Sequence, residues 1–329
     1  MLLESLKDRV ASYPYHYRIL KEINYAIWDL QDRFHGKNPN TEEGTKLCSD
    51  ILLENDRRFR VKSKINTLAN SSLSERKGYA TKRAFVCHHL GMGGMIWMNG
   101  AVRYLATAYD EVLVVCKEVN RHNTKAMYAD DPSITFHVIK EDLDLDPWHE
   151  RLQTFKSQGY EIFTCGHFAS RDDRSVKDVP NSFYDDLNLK REIRTNYFYV
   201  APSDAATTLA QTLKTLPYIV VHEEASHKTL PIAASLRAAG EKRLILDINK
   251  NHYEHAHPWH HIAQHVVNKP LLDYSVLLMG AQELHLIESS LYCLASHLDL
   301  SQVSRKVCYE PWGGNAERLG VFQTGTVLG

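Results

Sequence analysis

The sequence lacks several features that would place it in a special class. No apolar run approaches the ~20 residues that a membrane-spanning helix needs, which argues against a transmembrane protein. Positive charge is not in excess, because 39 Lys and Arg stand against 40 Asp and Glu, a formal net charge of −1. A protein built mainly to coat nucleic acid would carry a basic excess, so no nucleic-acid partner is expected. The start of the chain carries acidic residues where a secretory signal peptide would be apolar.

Cysteine is sparse, with six residues in 329 and no C-x-x-C pair among them. We therefore interpret the cysteines as reduced thiols of an intracellular, cytoplasmic protein rather than as a disulfide framework. Low-complexity tracts and repeats of solenoid period are also missing. The remaining composition, 43% hydrophobic and 24% charged, is that of an ordinary globular protein, and the length indicates about two domains.

Residues 1–78 have the pattern of a helical module. Apolar residues recur at spacings of three and four from Ile19 to Phe34, the period of one helix face, and Thr41 can start a second helix. That second helix is rich in cations, which are Arg57, Arg58, Arg60, Lys62 and Lys64. We interpret it as one half of a helical hairpin with a solvated basic face. The alternative is a helix that docks an anionic partner, such as a nucleic acid.

After residue 78 short β-rich runs alternate with helix-like segments, which predicts α/β halves with parallel sheets over 79–200 and 201–329. The predicted strands are Ala84–Cys87, Glu111–Cys116, Ile134–Ile139, Ile162–Cys165, Tyr218–His222, Leu244–Asp247, Ser275–Met279, a short strand starting at Glu283, and Val307–Tyr309.

Histidines and glycines follow the first predicted strand. His88 and His89 precede Gly91, Gly93 and Gly94, and a helix pattern comes next. Glycines let backbone N–H groups approach a ligand, and a helix N-terminus favours phosphate. The spacing is not G-x-G-x-x-G, and no acidic residue ends the next strand, which argues against NAD and equally against a methyltransferase that binds adenosylmethionine.

The string from His89 to Gly94, followed by Asn99-Gly-Ala-Val-Arg103, resembles the opening motif of a group of GT-B-type glycosyltransferases. These enzymes occur in large DNA viruses and bacteria and are distantly similar to heptosyltransferases and fucosyltransferases. This chain departs from the motif at Gly94, where the group usually has Asp. Three later regions resemble further motifs of the group in the same order: Val179–Leu187 with Glu192–Phe198, Val220–Lys228, and Leu284–Leu294.

The resemblance implies two Rossmann-like lobes after the helical module, with the acceptor on the first lobe and a nucleotide-diphosphate sugar on the second, facing each other across a cleft. It implies a metal-independent glycosyltransferase without a cofactor, and an inverting displacement fits it. His89 or His88 is the candidate base, since imidazole titrates near neutral pH. The substrate-binding candidates of the first lobe are Gly91, Gly93, Gly94, Asn99 and Arg103. Those of the second lobe are His222, Glu223, Ser226, His227, Lys228, Glu288, Ser289 and Ser290.

The type of the second-lobe residues suits a diphosphate. Lys228 and His227 can neutralise the leaving group, Ser226 can anchor it, and Ser289 or Ser290 can cap a helix that presents an N–H group. The alternative is that these residues bind no ligand, because the same residue types are typical of a capped helix start and an exposed charged turn.

Six of the 18 histidines cluster between residues 252 and 265. His257, His261 and His265 recur four apart, which places them on one face if the segment is helical. Two such histidines can bind zinc, but neither an H-E-x-x-H pattern nor a nearby Cys accompanies them, so no metal site is predicted. An alternative function remains open. Since Gly94 stands where the group usually has Asp, the chain can be a catalytically impaired module that binds a glycan or a nucleotide. As a separate point, the helical module can support a homo-oligomer.

Overall fold

The computed structural model describes residues 10–72, 80–88, 91–140, 148–166, 179–213, 216–226, 228–309 and 321–325. The candidate base His89 and the donor-site candidate His227 lie outside these ranges. Contacts divide the chain into two compact units. The first comprises 1–87, 100–118 and 128–164, and the second comprises 88–99, 119–127 and 165–329.

The first unit starts with the predicted helical hairpin. Helix α1 spans Pro14–Phe34 and helix α2 spans Glu42–Leu68. The apolar period of α1 has its expected effect, because Ile19, Ile23 and Ile27 are all buried. Thr41 caps α2 as predicted, since its hydroxyl accepts a hydrogen bond from the Gly44 backbone N–H at 3.1 Å.

Gly44 lies where the connection between the two helices crosses the first turn of α2. A Cβ atom at this position would collide with the carbonyl oxygen of Asn38. Although alanine is the better helix former, we expect Gly44→Ala to lower the free energy of unfolding by about 1–3 kcal/mol, the usual cost of overpacking. Urea denaturation measures this change. An unaltered or raised midpoint would show that the connection near Asn38 can shift away from the added Cβ atom without a loss of stability.

The basic residues of α2 attach the hairpin to the rest of the first unit. Lys64 Nζ lies 2.8 Å from Asp131 Oδ2 and 2.6 Å from the carbonyl oxygen of Ala106, and both charged side chains are buried. Arg57 donates to Thr107 at 2.9 Å, and Arg60 pairs with Asp110 at 3.1 Å. The interpretation of these three cations as a solvated or partner-docking face is therefore wrong: they are buried groups that hold protein partners.

The sheet of the first unit has four parallel strands in the order β3-β2-β1-β4. Its strands are β1 Arg83–Cys87, β2 Glu111–Lys117, β3 Ile134–Ile139 and β4 Tyr160–Thr164. Between them the chain forms helices α3 Met92–Trp97, α4 Asn99–Ala108, α5 Arg121–Met127 and α6 Trp148–Ser157. All four predicted strands of this half are confirmed, with ends that differ by at most two residues.

The main sheet of the second unit has five parallel strands in the order β11-β10-β9-β5-β8. These are β5 Tyr218–His222, β8 Leu244–Asp247, β9 Glu283–Ile287, β10 Arg305–Tyr309 and β11 Gln323–Gly325; β6 Glu224–Ala225 and β7 Lys228–Thr229 form a small antiparallel hairpin. The helices are α7 Val179–Asp186, α8 Ile193–Asn196, α9 Asp204–Gln211, α10 Ile232–Ala238, α11 His260–Val266, α12 Ser275–Gly280 and α13 Ser290–Ala295.

One predicted strand is wrong. Ser275–Met279 lies within helix α12, because a short apolar run has no period that separates a strand from a buried helix.

Two parallel α/β sheets after a helical hairpin confirm the predicted fold class, α/β with two Rossmann-like halves. The boundaries 1–78, 79–200 and 201–329 stay predictions; in the contacts of the chain the hairpin and the first sheet belong to one unit. Within the described ranges, no helix combines the length and apolar character needed to cross a bilayer.

Candidate functional site

The strand order of the second sheet marks one place where a ligand site is expected. Strand β5 pairs with β8 on one side and with β9 on the other, so the chain order reverses beside β5. In open parallel sheets, ligands bind at such a switch point, outside the carboxyl ends of the strands. At this edge β5 ends at His222, and Glu288, Ser289 and Ser290 follow directly after β9.

A hydrogen bond joins the two strand ends. His222 Nδ1 lies 2.9 Å from Ser289 Oγ, and the same oxygen accepts from the Tyr292 backbone N–H at 3.3 Å, which caps α13. Burial lowers the pKa of His222 to about 4, although Asp247 and a backbone hydrogen bond with Glu224 act to raise it. His222 is therefore a neutral imidazole at pH 7, and it fixes Ser289 in the capping position predicted for it.

Glu223 is buried, and its two oxygens have different partners. Oε2 accepts from the Ala233 backbone N–H at 2.9 Å, whereas Oε1 lies 2.7 Å from Lys250 Nζ. Strand β8 ends on a second buried carboxylate, Asp247, whose Oδ2 lies 2.7 Å from Nε2 of His252 in the following loop. The bond to Glu223 raises the pKa of the Lys250 ammonium. The edge of the sheet thus holds a compact charged network beside His222.

Sequence reasoning missed Asp247 and Lys250, and it considered His252 only as one of the clustered histidines. A signal was present, because the predicted strand Leu244–Asp247 ends on the first of them. The carboxyl-end rule that pointed to His222 and Ser289 applies equally to this strand.

The turn after β5 differs from the helix start or loop that the sequence indicated. Glu224–Ala225 and Lys228–Thr229 form the β6–β7 hairpin, with Ser226 exposed at the turn after β6 and Lys228 half-buried in β7. Glu288 and Ser290 are half-buried after β9. The structure therefore brings His222 and Ser289 into contact, with Glu223 next to His222 in the chain, and the diphosphate roles of Ser226, Lys228, Glu288 and Ser290 stay predictions.

The glycine turn forms the start of α3, and in the second unit α3 packs on α13. A Cβ atom at Gly93 would lie 3.0 Å from Cys293 Sγ, so the glycine permits close helix packing. Tyr184, from the motif segment 179–187, donates to the Trp97 carbonyl oxygen at 2.8 Å. Gly91 is the residue before α3, and Gly94 is buried within it.

The remaining candidates of the first half hold protein groups. Asn99 is buried and bonds both backbone groups of Tyr199, accepting from the N–H at 3.0 Å and donating to the carbonyl at 3.1 Å. Arg103 is buried and makes a bidentate pair with Asp130 at 2.6 and 3.0 Å. His88 is also buried. The substrate roles predicted for these residues stay predictions, and for Asn99 and Arg103 the observed contacts show a structural role.

The histidine-rich stretch is helical only in its second part. His261 and His265 lie in α11, whereas His257 precedes it, so the three do not form one ladder on a helix face. The rings of His255, His260 and His261 lie 5.0–5.9 Å apart between centroids. His255, His257 and His261 are exposed.

Three solved structures resemble the chain at low identity. TibC, a dodecameric iron-containing heptosyltransferase solved with ADP-D-beta-D-heptose, is 14% identical with a TM-score of 0.46, over 78% of this chain and 65% of that one. A glycosyl transferase of family 9 from Veillonella parvula is 11% identical with a TM-score of 0.48, over 74% and 85%. The ADP-heptose LPS heptosyltransferase II of E. coli is 11% identical with a TM-score of 0.45, over 75% and 90%.

These likenesses concern the fold, and the substrates named belong to those enzymes. The chain spans about two thirds of the length of TibC. No protein-family model and no curated protein matches the sequence.

Proposed function

We propose that the chain is a glycosyltransferase that moves a sugar from a nucleotide-diphosphate sugar to a hydroxyl group of a glycan or another acceptor. The observation that carries the proposal is the switch point of the second sheet, where the 2.9 Å contact between His222 and Ser289 joins two of the motif segments. A nucleotide bound there meets the loops after β5, β8 and β9, which is the usual arrangement for nucleotides on open parallel sheets.

Departure of a nucleoside diphosphate needs donors and positive charge at the phosphates. In our proposal Lys228 and His227 supply the charge, and the segment from Glu288 to Ser290 supplies hydrogen-bonding groups for phosphate and sugar. His222 is neutral, so it acts as a positioning group for Ser289 rather than as a cation. His88 or His89 remains the proposed base for the acceptor hydroxyl.

The finer points belong to the same proposal. The displacement is inverting, the transfer proceeds without a metal ion, and the enzyme works in the cytoplasm of a virus-infected or bacterial cell as a monomer or a homo-oligomer. Turnover that survives chelation with EDTA, and the anomeric configuration of the product by NMR, test the first two points directly.

The experiment is a panel of ADP-, UDP- and GDP-sugars, including ADP-heptose because of the TibC complex, followed by thermal shift and by release of the nucleoside diphosphate. Binding and turnover of one donor support the proposal. Binding without turnover, with acceptors of several classes present, supports the impaired binding module instead. Absence of binding for every donor contradicts both.

Lys228 provides a quantitative prediction for this panel. Lys228→Ala is expected to weaken the binding of the active donor by about 10-fold or more, because a hydrogen bond to a charged group contributes about 1.5–3 kcal/mol. The matched control is Lys242→Ala, since Lys242 is exposed just before β8 at the opposite edge of the same sheet. Isothermal titration of both variants decides the point: equal affinities would remove Lys228 from the donor site.

A further inference from the structure

Three side chains of the charged network beside β5 and β8 present potential metal ligands to one another. Glu223, Asp247 and His252 each offer one ligand atom, and these three atoms all lie within 4.8 Å of one another. The imidazole nitrogen is 2.7 Å from the aspartate oxygen and 3.5 Å from the glutamate oxygen. Two ligands bound tetrahedrally to zinc at about 2.0–2.2 Å lie about 3.3–3.6 Å apart, so small side-chain shifts bring these three atoms to coordination distance.

The second oxygen of each carboxylate is already held, and so is the backbone of His252. The second oxygen of Glu223 accepts from the Ala233 N–H at 2.9 Å, and the second oxygen of Asp247 accepts from the Asn249 N–H at 2.9 Å. The carbonyl oxygen of His252 accepts from Arg237 at 3.0 Å. Outer-shell bonds of this kind orient metal ligands, and here they direct one oxygen of each carboxylate toward the imidazole.

The charge of the network points to a cation. The side chains of Glu223 and Asp247 are 2% and 0% exposed, and buried carboxylates require compensation. Lys250 supplies one positive charge from a side chain that is 49% exposed, with its ammonium 2.7 Å from Glu223. That ammonium shows that positive charge is accepted at this point, and it comes from a residue that can move into solvent without unfolding the site.

We propose that Glu223, Asp247 and His252 bind one divalent transition-metal ion, of the zinc or manganese class, in exchange for the Lys250 ammonium. Two carboxylates and a divalent ion are together neutral, whereas two carboxylates and one ammonium keep a net negative charge. The ligand set, two oxygens and one imidazole nitrogen, suits zinc and manganese better than magnesium or calcium. From the sequence alone no metal site is predicted, because the histidines with a ligand-like spacing are His257, His261 and His265, and none of these belongs to the present cluster.

The ion has a structural role in this proposal. It joins the end of β5 to the loop after β8, and it does not replace the side chains proposed to neutralise the diphosphate. The inference is therefore independent of the transfer reaction. An enzyme that turns over in EDTA but unfolds at a lower temperature without the ion satisfies both proposals, whereas a protein without transferase activity can still bind the metal.

The test is isothermal titration of the full chain, freed of metal by EDTA and dialysis, with ZnCl₂ and separately with MnCl₂. One ion per chain is expected, with a rise in the unfolding temperature. Glu223→Gln removes a charged ligand and is expected to weaken binding about 100-fold or more. His252→Ala changes a less buried residue, which is safer for folding, and is expected to weaken binding at least about 10-fold. Lys250→Met removes the competing ammonium and is expected to strengthen binding about 10-fold.

The exposed histidines provide the control. The double variant His255→Ala, His261→Ala removes two surface imidazoles and is expected to bind one ion as the parent chain does. The proposal is overturned if no ion binds, if the histidine double variant loses binding while Glu223→Gln and His252→Ala retain it, or if Lys250→Met binds no more tightly than the parent chain.

Discussion

Lys64→Met is expected to lower the free energy of unfolding by about 3–5 kcal/mol, the usual cost of removing one partner from a buried ion pair. In the native chain the Lys64 ammonium is 2.8 Å from Asp131 and 2.6 Å from the Ala106 carbonyl oxygen. The variant leaves the Asp131 carboxylate buried without its main counterion. It retains a hydrogen bond to Ser133, which compensates for only part of the lost charge.

Urea denaturation at pH 7 measures the loss. Lys46→Met is the matched control, because Lys46 is exposed on the same helix and its replacement changes the chain by the same atoms. The control is expected to alter stability by less than about 1 kcal/mol. A loss of equal size in both variants would show that helix propensity or solubility, rather than the buried pair, determines the result.

The same pair indicates how the hairpin is attached. Asp131 has a lowered pKa: burial acts to raise it, but the Lys64 charge and its hydrogen bonds outweigh that effect. The double variant Lys64→Met, Asp131→Leu removes both charges, and apolar replacement of a buried pair is often neutral or stabilising. We therefore expect it to recover most of the stability lost in Lys64→Met, which a general disruption of the hairpin would not allow.

The sequence was sufficient to predict the helix period and most strands, because burial imposes a short-range repeat on both. It was not sufficient to assign the cations of α2. An Arg or Lys on a helix is usually solvated, and only the tertiary fold shows that Asp110 and Asp131 meet Arg60 and Lys64. The tertiary fold also decides the structure of Ser275–Met279. This apolar run has no period that separates a strand from a buried helix, so the sequence predicts a strand where the structure has a helix.

The candidate site also has a part that the sequence predicts and a part that only the fold shows. His222 and Ser289 were predicted because each ends or follows an apolar strand, and parallel strands bring such residues to one edge. Their direct contact depends on β5 and β9 being neighbours, which chain order does not reveal because 60 residues separate the two strands. Asn99 and Arg103 carry the motif of the resemblance, but a motif does not distinguish a ligand contact from the buried hydrogen bonds that both side chains make.

Acidification is expected to destabilise the chain at pH values well above those at which ordinary carboxylates take up protons. Burial lowers the pKa of His222 to about 4, and burial likewise lowers the pKa of His297 to about 4. Both values lie below the ordinary pKa of about 6.5 that histidine has in an unfolded chain. Between pH 6.5 and 4 the unfolded chain therefore binds protons that the native chain does not, so stability falls as the pH is lowered through this window and is fully present above it.

The expected loss is on the order of 2–3 kcal/mol for each histidine between pH 7 and pH 4. His297→Phe isolates one of them, because a phenyl ring can keep the stacking on Phe198, where the ring centroids lie 4.6 Å apart, while it removes the titrating group. It also loses the 2.7 Å bond to the Cys293 carbonyl, so its stability at pH 7 is expected to be lower. The decisive quantity is the slope: in urea unfolding at pH 7, 6, 5 and 4.5, the stability of the variant should fall by about 2 kcal/mol less than that of the parent chain between pH 7 and pH 4.5. An identical slope would mean that His297 takes up its proton in the native state near its ordinary pKa, and that the ring is not as shielded from solvent as its contacts indicate.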